Sequence, residues 1–365
     1  MTRLDRLELR GFKSLRAIDL TFGPLNVLIG ANGAGKSNLI SFFKLLNRLT
    51  RIPGELQFFV GRAGGANALL HDGAATTQEI AASLTFITEA TRQEYQFRLA
   101  HAAPDTLIFA EERYRSMRPN SNGENWTSLG SGHREAQIAE QNRWVPLRII
   151  GSLRRCVVYQ FHNRSDTARI RQRWDAMDNQ FLHDDAANLA PILLRLRESE
   201  PSAYRRIIET IRLILPCFSD FVLEPNASMV FLQWRERESD TIFGAHQASD
   251  GMLRVLALVT LLLQPIATLP SVLILDEPEL GLHPYAIAIV AGLLESVALH
   301  CQVLLATQSP TLIDYFTPEQ IIVVERPGRD STFRRLNPEL LDEWLQDYSV
   351  SELWEKNVLG GRPGR

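Results

Sequence analysis

The stretch GANGAGKS at 30–37 follows the order G-x-x-x-x-G-K-[ST] in full. Consecutive backbone N–H groups wrapped around a polyphosphate neutralise its charge at short range. Gly30, Gly33 and Gly35 supply the backbone angles and clearance for that wrapping, with Ala31, Asn32 and Ala34 between them and Asn38 following. Lys36 is suited to reach the β- and γ-phosphates, and Ser37 to offer its hydroxyl to Mg2+, so the expected cofactors are ATP and Mg2+. A second group lies in SVLILDEPE at 271–279, where an apolar run ends in two carboxylates. Asp276 suits a water-mediated hold on Mg2+, and Glu277 suits a general base that polarises an attacking water. Burying adjacent carboxylates without a cation is costly. Glu279 reads as a surface charge. The run CQVLLATQSP at 301–310 ends in Thr307, Gln308 and Ser309. Gln308 could orient water or sense the γ-phosphate, or serve simply as a polar strand end.

In QASDGMLRVLALV at 247–259, a polar turn precedes an apolar helix. Ser249-Asp250-Gly251 suits phosphate through a hydroxyl, free N–H groups and a favourable dipole, yet the chain already has a phosphate cradle at 30–37. A second anion-binding helix end makes sense if it reaches the γ-phosphate held by another copy, each site being completed in trans. The alternative is an N-cap, and a cap can also contact phosphate. Asp250 adds negative charge, so it would order the serine or contact the opposite loop.

These residues need strands and helices to hold them. Alternation or apolar runs predict strands at 4–9, 15–22, 25–29, 80–87, 94–100, 157–161, 229–234, 241–243, 272–275, 302–306 and 320–325. Helical patterns run over 38–49, 186–215, 247–263 and 285–296. The Gly- and Ala-rich stretch 50–80 resists assignment, and RPNSNGENWTSLGSGH at 118–133 reads as an exposed loop. Strands alternating with helices predict an α/β fold with a mainly parallel sheet covered on both faces. The expected divisions are 1–160, which carries antiparallel strands, and 226–325 as the two parts of one core, 161–225 as an inserted, mostly helical lobe, and 326–365 as an extension.

With 365 residues, 45% of them hydrophobic, the chain can bury a substantial core. A net charge of −3 argues against a surface covered in nucleic-acid-binding positive charge. Cys156, Cys217 and Cys301 occur singly, which fits a reducing cytoplasm and neither a disulfide framework nor a spaced metal site. The start lacks a signal-peptide core, and no apolar stretch reaches the length of a membrane span. Eight arginines at 143, 148, 154, 155, 164, 169, 171 and 173, with Tyr159 and Phe161 among them, suit either a DNA or RNA backbone or a subunit interface. His162 and His183 have no metal-ligand partners at standard spacing.

The segments LELRGFKSLRAIDLTFGPLNVLIGANGAGKSN, SDGMLR, LILDEPELGLHP and LLATQSP, in that order, resemble ATP-binding-cassette ATPases of the SMC/RecF-like branch. In particular the chain resembles stand-alone bacterial AAA family ATPases with an AAA_21-type domain, over essentially its whole length. YQFHNRSDTAR at 159–169 and DYSVSELWEKNVLGGRPGR at 347–365 share in the likeness. The resemblance implies a P-loop NTPase of SMC/RecF-head type that forms a head-to-tail, ATP-sandwiched homodimer or a larger assembly of dimers. It makes 30–37 the Walker A motif, Asp276 with Glu277 Walker B, 249–251 the signature and 279–282 the D-loop. Gln308 takes the place of the switch histidine, Lys13 that of a basic side chain sent toward the nucleotide, and Gln160 that of a glutamine linking lobe motion to Mg2+. The implied activity is ATP hydrolysis as a switch in DNA repair or antiphage defence, with a separate effector such as a nuclease. Two departures stand out: Asp250 occupies a position that is glycine in common cassette proteins, and Gln308 is not histidine. A transporter's ATPase subunit and a small-molecule kinase are the alternatives. The long insert and the missing Leu-Ser-Gly-Gly count against the first, and the turn at 249–251 is unneeded in the second.

Overall fold

The computed structural model describes residues 2–50, 54–117, 125–161, 165 and 167–361. Its centre is a six-stranded sheet in the order Thr332–Arg335, Ile321–Glu325, Leu25–Ile29, Gln302–Thr307, Val272–Asp276 and Cys156–Tyr159. All pairings are parallel except that of the Thr332–Arg335 edge strand. Leu25–Ile29 and Gln302–Thr307 are buried along their whole length, mostly apolar as strands covered on both faces must be, with the polar Asn26, Gln302 and Thr307 in them hydrogen-bonded. Side chains alternate between two cores. Val27, Leu273, Leu305 and Val323 face one, while Leu28, Ile274, Leu304 and Ile322 face the other.

The first core is closed by the helices Leu189–Ser199, Pro201–Ile214, Asp250–Leu263 and Pro284–Ala298. The second face is covered by a helix and by the antiparallel strands expected within residues 1–160. There the helix Lys36–Leu49 lies under a second, antiparallel sheet, ordered Leu15–Thr21, Arg3–Phe12, Glu79–Ile87, Arg92–Ala102, Thr106–Met117 and Thr127–Gly130. Phe12 meets Phe42 edge-on with ring centroids 5.5 Å apart. Gln302 stitches the two sheets together: its amide donates to Leu4 O at 2.8 Å and Gly23 O at 2.9 Å, and its oxygen accepts from Leu4 N at 3.1 Å.

Register decides what meets at the sheet's carboxyl edge. Ile29 pairs with Thr307 and Val323, Asp276 with Ala306, and Leu275 with Tyr159. Gly30, Gln308, Glu277 and Gln160 each follow one residue after the end of a central strand, so the fold gathers them on one edge.

Several elements depart from the pattern-based expectation. The stretch 50–80 contains the helix Glu55–Arg62, and Trp144–Arg154 is also helical. Residues 118–124 of the expected loop lie outside the described residues, but Thr127–Gly130 pairs with Thr106–Met117 as a short strand. The single strand expected over 229–234 divides into Met229–Val230 and Gln233–Glu236, which join different sheets. Between residues 161 and 225, where a mostly helical lobe is expected, the helices Leu189–Ser199 and Pro201–Ile214 are the longest elements, beside the short strands Trp174–Asp175 and Phe218–Val222. No helix among the described residues is long and apolar enough to cross a membrane.

Candidate nucleotide site

The loop at 30–37 leaves the Leu25–Ile29 strand and enters the Lys36–Leu49 helix, whose N-terminus no side chain caps. The first N–H groups of such a helix have no intrahelical acceptor. Glycine is required at two positions for different neighbours. A Cβ on Gly30 would lie 2.2 Å from Val324 O, and one on Gly35, at φ 126°, would lie 2.3 Å from Ser331 Oγ. Lys36 is 5% exposed, and its ammonium donates to the carbonyls of Gly30 and Ala31. Burial lowers its pKa, opposed by the nearby charges of Glu277, Asp276 and Glu279. Ser37 is exposed in the first turn of the helix. Asn38 is engaged elsewhere: its amide donates to Ser14 Oγ at 2.6 Å, Ser14 Oγ lies 2.7 Å from Ser331 Oγ, and Ser331 donates to Ala34 O at 2.6 Å. The Asn38 side chain therefore braces the loop from outside.

Glu277 sits at φ 46°, in a left-handed conformation unusual for a side chain of its kind, with its N–H held by Ala306 O at 2.8 Å. Its carboxylate accepts from Gln308 Nε2, and the same nitrogen donates to Asn32 Oδ1 at 2.7 Å. Gln308 thus links the acidic strand end to the glycine loop. Asp276 accepts from Gln160 Nε2 at 2.7 Å, and Gln160 Oε1 accepts from Lys44 Nζ at 2.5 Å. In this arrangement Gln160 turns its donor toward Asp276 and its only metal-ligating atom toward Lys44. Sequence reasoning missed Lys44, although helical spacing puts it on the face of Ser37 and Ser41.

Glu279 corrects the expectation of a surface charge. It is 6% exposed, accepts from the Thr307 hydroxyl, and its second oxygen is buried with no partner among the described residues. Burial raises its pKa; the Thr307 hydroxyl bond opposes this. A carboxyl that holds its proton more tightly when folded stabilises the fold at low pH, and that contribution is lost as pH rises through the folded-state value. Glu279→Gln keeps an oxygen for Thr307 and removes the charge. Its unfolding free energy in urea is expected to match the unaltered chain near about pH 4 and to exceed it at about pH 8. Equal values at both ends would reject a buried charge.

Lys13, at φ 49° in the turn between the first two strands, donates to Ser41 Oγ at 2.8 Å. Burial first, then the neighbouring Lys44, lowers its pKa. Both lysines line a cavity of about 400 Å³ beside the Lys36–Leu49 helix, together with Arg48 and Arg62.

Ser249 is the N-cap of Asp250–Leu263, accepting from Met252 N at 3.2 Å, and is exposed. Asp250 pairs with Arg171 at 2.9 Å. Gly251 packs against the 279–282 turn, where an added Cβ would lie 3.3 Å from Gly281 O.

The basic segment is not one solvated face. Arg171 is 5% exposed and donates to Ala245 O at 2.6 Å, Arg155 donates to Leu269 O, and Arg169 pairs with Asp185 at 3.1 Å. His183 lies 3.2 Å from Asp178, whereas His162 and Arg164 fall outside the described residues. Among the described residues, no group of three or more His, Cys, Asp or Glu could hold a metal ion.

A family model described as AAA_21, "AAA domain, putative AbiEii toxin, Type IV TA system", matches residues 25–314. Over 45 residues the chain is 51% identical to the DNA replication and repair protein RecF of Magnetococcus marinus and 47% identical to that of Lacticaseibacillus casei. Each match covers 12% of this chain and 12% of the relative, so the chain spans about an eighth of the curated relatives it matches. Among solved structures, an SMC head bound to the C-winged helix domain of ScpA superposes with a TM-score of 0.62 at 16% identity, covering 93% of this chain and 99% of that one. An SMC head with an extended coiled coil, bound to the C-terminal domain of ScpA derived from Pyrococcus furiosus, gives 0.59 at 16% identity, with 95% and 99% covered. These likenesses establish the α/β P-loop fold of SMC/RecF-head type.

Proposed function

Because the chain belongs to the AAA_21 family of AAA domains, we propose that it hydrolyses ATP to ADP and phosphate with Mg2+, and that ATP joins two copies head to tail. What carries this is the bridge from Glu277 through Gln308 to Asn32, which sets a carboxylate beside the glycine loop at the sheet's ligand-binding edge. The loop's N–H groups and Lys36 bind the phosphates, Glu277 takes the proton of the attacking water, and Gln308 orients it. Ser37 and Asp276 would hold Mg2+. One carboxylate and one hydroxyl fit a hard cation that keeps waters and takes its other ligands from phosphate. When bound, it offsets phosphate charge. Gln160, whose N–H donates to Asp184 O at 2.9 Å, links Asp276 to the lobe beyond the Cys156–Tyr159 strand.

The exposed Ser249 cap is free to meet the γ-phosphate of a second copy, with Arg171 balancing Asp250. The biological role is a cytoplasmic switch in DNA repair or antiphage defence that commands a separate effector such as a nuclease. The toxin–antitoxin wording of the family and the RecF match support it. DNA or RNA binding belongs to this reading only in part, since several of the arginines that suggested it serve internal contacts.

The test measures ATPase rate and particle mass together, with and without duplex or single-stranded DNA. Mg2+-dependent phosphate release and a doubling of mass on ATP are expected. Phosphate transfer to a metabolite would favour a small-molecule kinase, and co-purification with a permease would favour a transporter subunit.

A further inference from the structure

The loop at 30–37 has a neighbour that none of the nucleotide motifs includes. Gly361 O accepts from Ala31 N at 2.7 Å, while Gly361 N donates to Glu325 Oε1 at 2.9 Å. One turn back, Arg334 donates to Leu359 O at 2.7 Å, and Leu359 is 2% exposed. Gly360 and Gly361 are both left-handed, at φ 78° and 81°, and both are crowded. A Cβ on Gly360 would lie 2.5 Å from Glu325 Oε1, and one on Gly361 would lie 2.9 Å from Val323 Cγ1 and 3.5 Å from Gly30 Cα. Only glycine fits here on both counts.

This contact falls on the peptide that Lys36 also uses. The ammonium of Lys36 donates to the carbonyls of Gly30 and Ala31, while Gly361 fixes the N–H of Ala31 from the other side. Without Gly361, the Gly30–Ala31 peptide would be held on one side only, through Lys36, and the first bend of the loop would be less firmly fixed.

We propose that Gly360 and Gly361, seated by Glu325, are positioning residues of the phosphate loop, so that docking of the 359–361 segment sets nucleotide affinity. This rests on the nucleotide reading given above. The segment touches no phosphate itself; it holds the backbone from which the phosphate-binding N–H groups begin.

Glu325→Ala removes the acceptor for Gly361 N, Glu325→Gln retains an oxygen there, and Gly361→Ala lifts the segment. The probe is a non-hydrolysable ATP analogue, titrated against each full-length variant, with melting temperature recorded without nucleotide and hydrogen exchange followed at Ala31 N. Glu325→Ala and Gly361→Ala are expected to bind about tenfold more weakly, the value of one well-made hydrogen bond. Ala31 N should exchange faster in both, and Glu325→Gln should stay near the unaltered chain. Should Gly361→Ala fail to fold, Glu325→Ala still decides. Affinity within about twofold of the unaltered chain, or a loss confined to melting temperature, overturns the proposal. Failure of the unaltered chain to bind the analogue overturns the nucleotide reading itself.

Discussion

Glu277→Gln is expected to bind ATP as tightly as the unaltered chain and to hydrolyse it about 100-fold more slowly or worse, the usual worth of a positioned general base. The substitution keeps the side chain's length and its oxygen acceptor, so the Gln308 amide and its reach to Asn32 survive. The backbone at φ 46° is no worse for Gln than for Glu. What is lost is the group proposed to take the proton from water. The ATP-bound dimer should therefore persist, which mass measurement during a chase with ADP would read. Turnover at the unaltered rate would remove Glu277 from the chemistry.

Lys36→Ala should have the opposite signature. Its ammonium is buried at a cost that lowers its pKa, and the carbonyls of Gly30 and Ala31 repay part of that cost. Stability without nucleotide should change little. Nucleotide affinity should fall by about 100-fold or more, because a charge-assisted contact to the phosphates disappears from a low-dielectric site. At a ligand concentration near 100 times the original Kd, the stabilisation by nucleotide should drop from about 2.7 to about 0.4 kcal/mol. Thermal melts with and without ADP measure this directly. A nucleotide-induced shift equal to that of the unaltered chain would exclude Lys36 from phosphate binding.

The residues expected to bind through backbone were the easiest to read. Glycines flanking a lysine and serine, after an apolar strand, have few other uses, and register then follows from parallel pairing. Side-chain bridges were not legible in the same way. Nothing in the spacing of Asn32, Glu277 and Gln308 says that one amide joins them, because the connection exists only once three strands are in register. Glu279 misled for a related reason: a charged letter after a proline looks exposed until Thr307 is found beneath it. The Thr106–Met117 strand was hidden by its own charges. Glu112 in its middle is fully buried, taking bonds from Tyr95, His133 and two backbone N–H groups. A core carboxylate with four donors breaks the apolar alternation that strand recognition depends on.

The order of strands in the central sheet also governs how the molecule is made. A ribosome releases Leu25–Ile29 and the glycine loop early, but the partners that flank this strand on either side, Gln302–Thr307 and Ile321–Glu325, come out last of the parallel set. Until then a segment apolar at four of its five positions has both of its edges unpaired, the condition under which nascent chains stick to one another or occupy chaperones. Closure must wait for contacts far apart in sequence, which makes it slow. A nucleotide site of the kind proposed is therefore complete only in a chain made past Gly361, whose carbonyl holds Ala31 N.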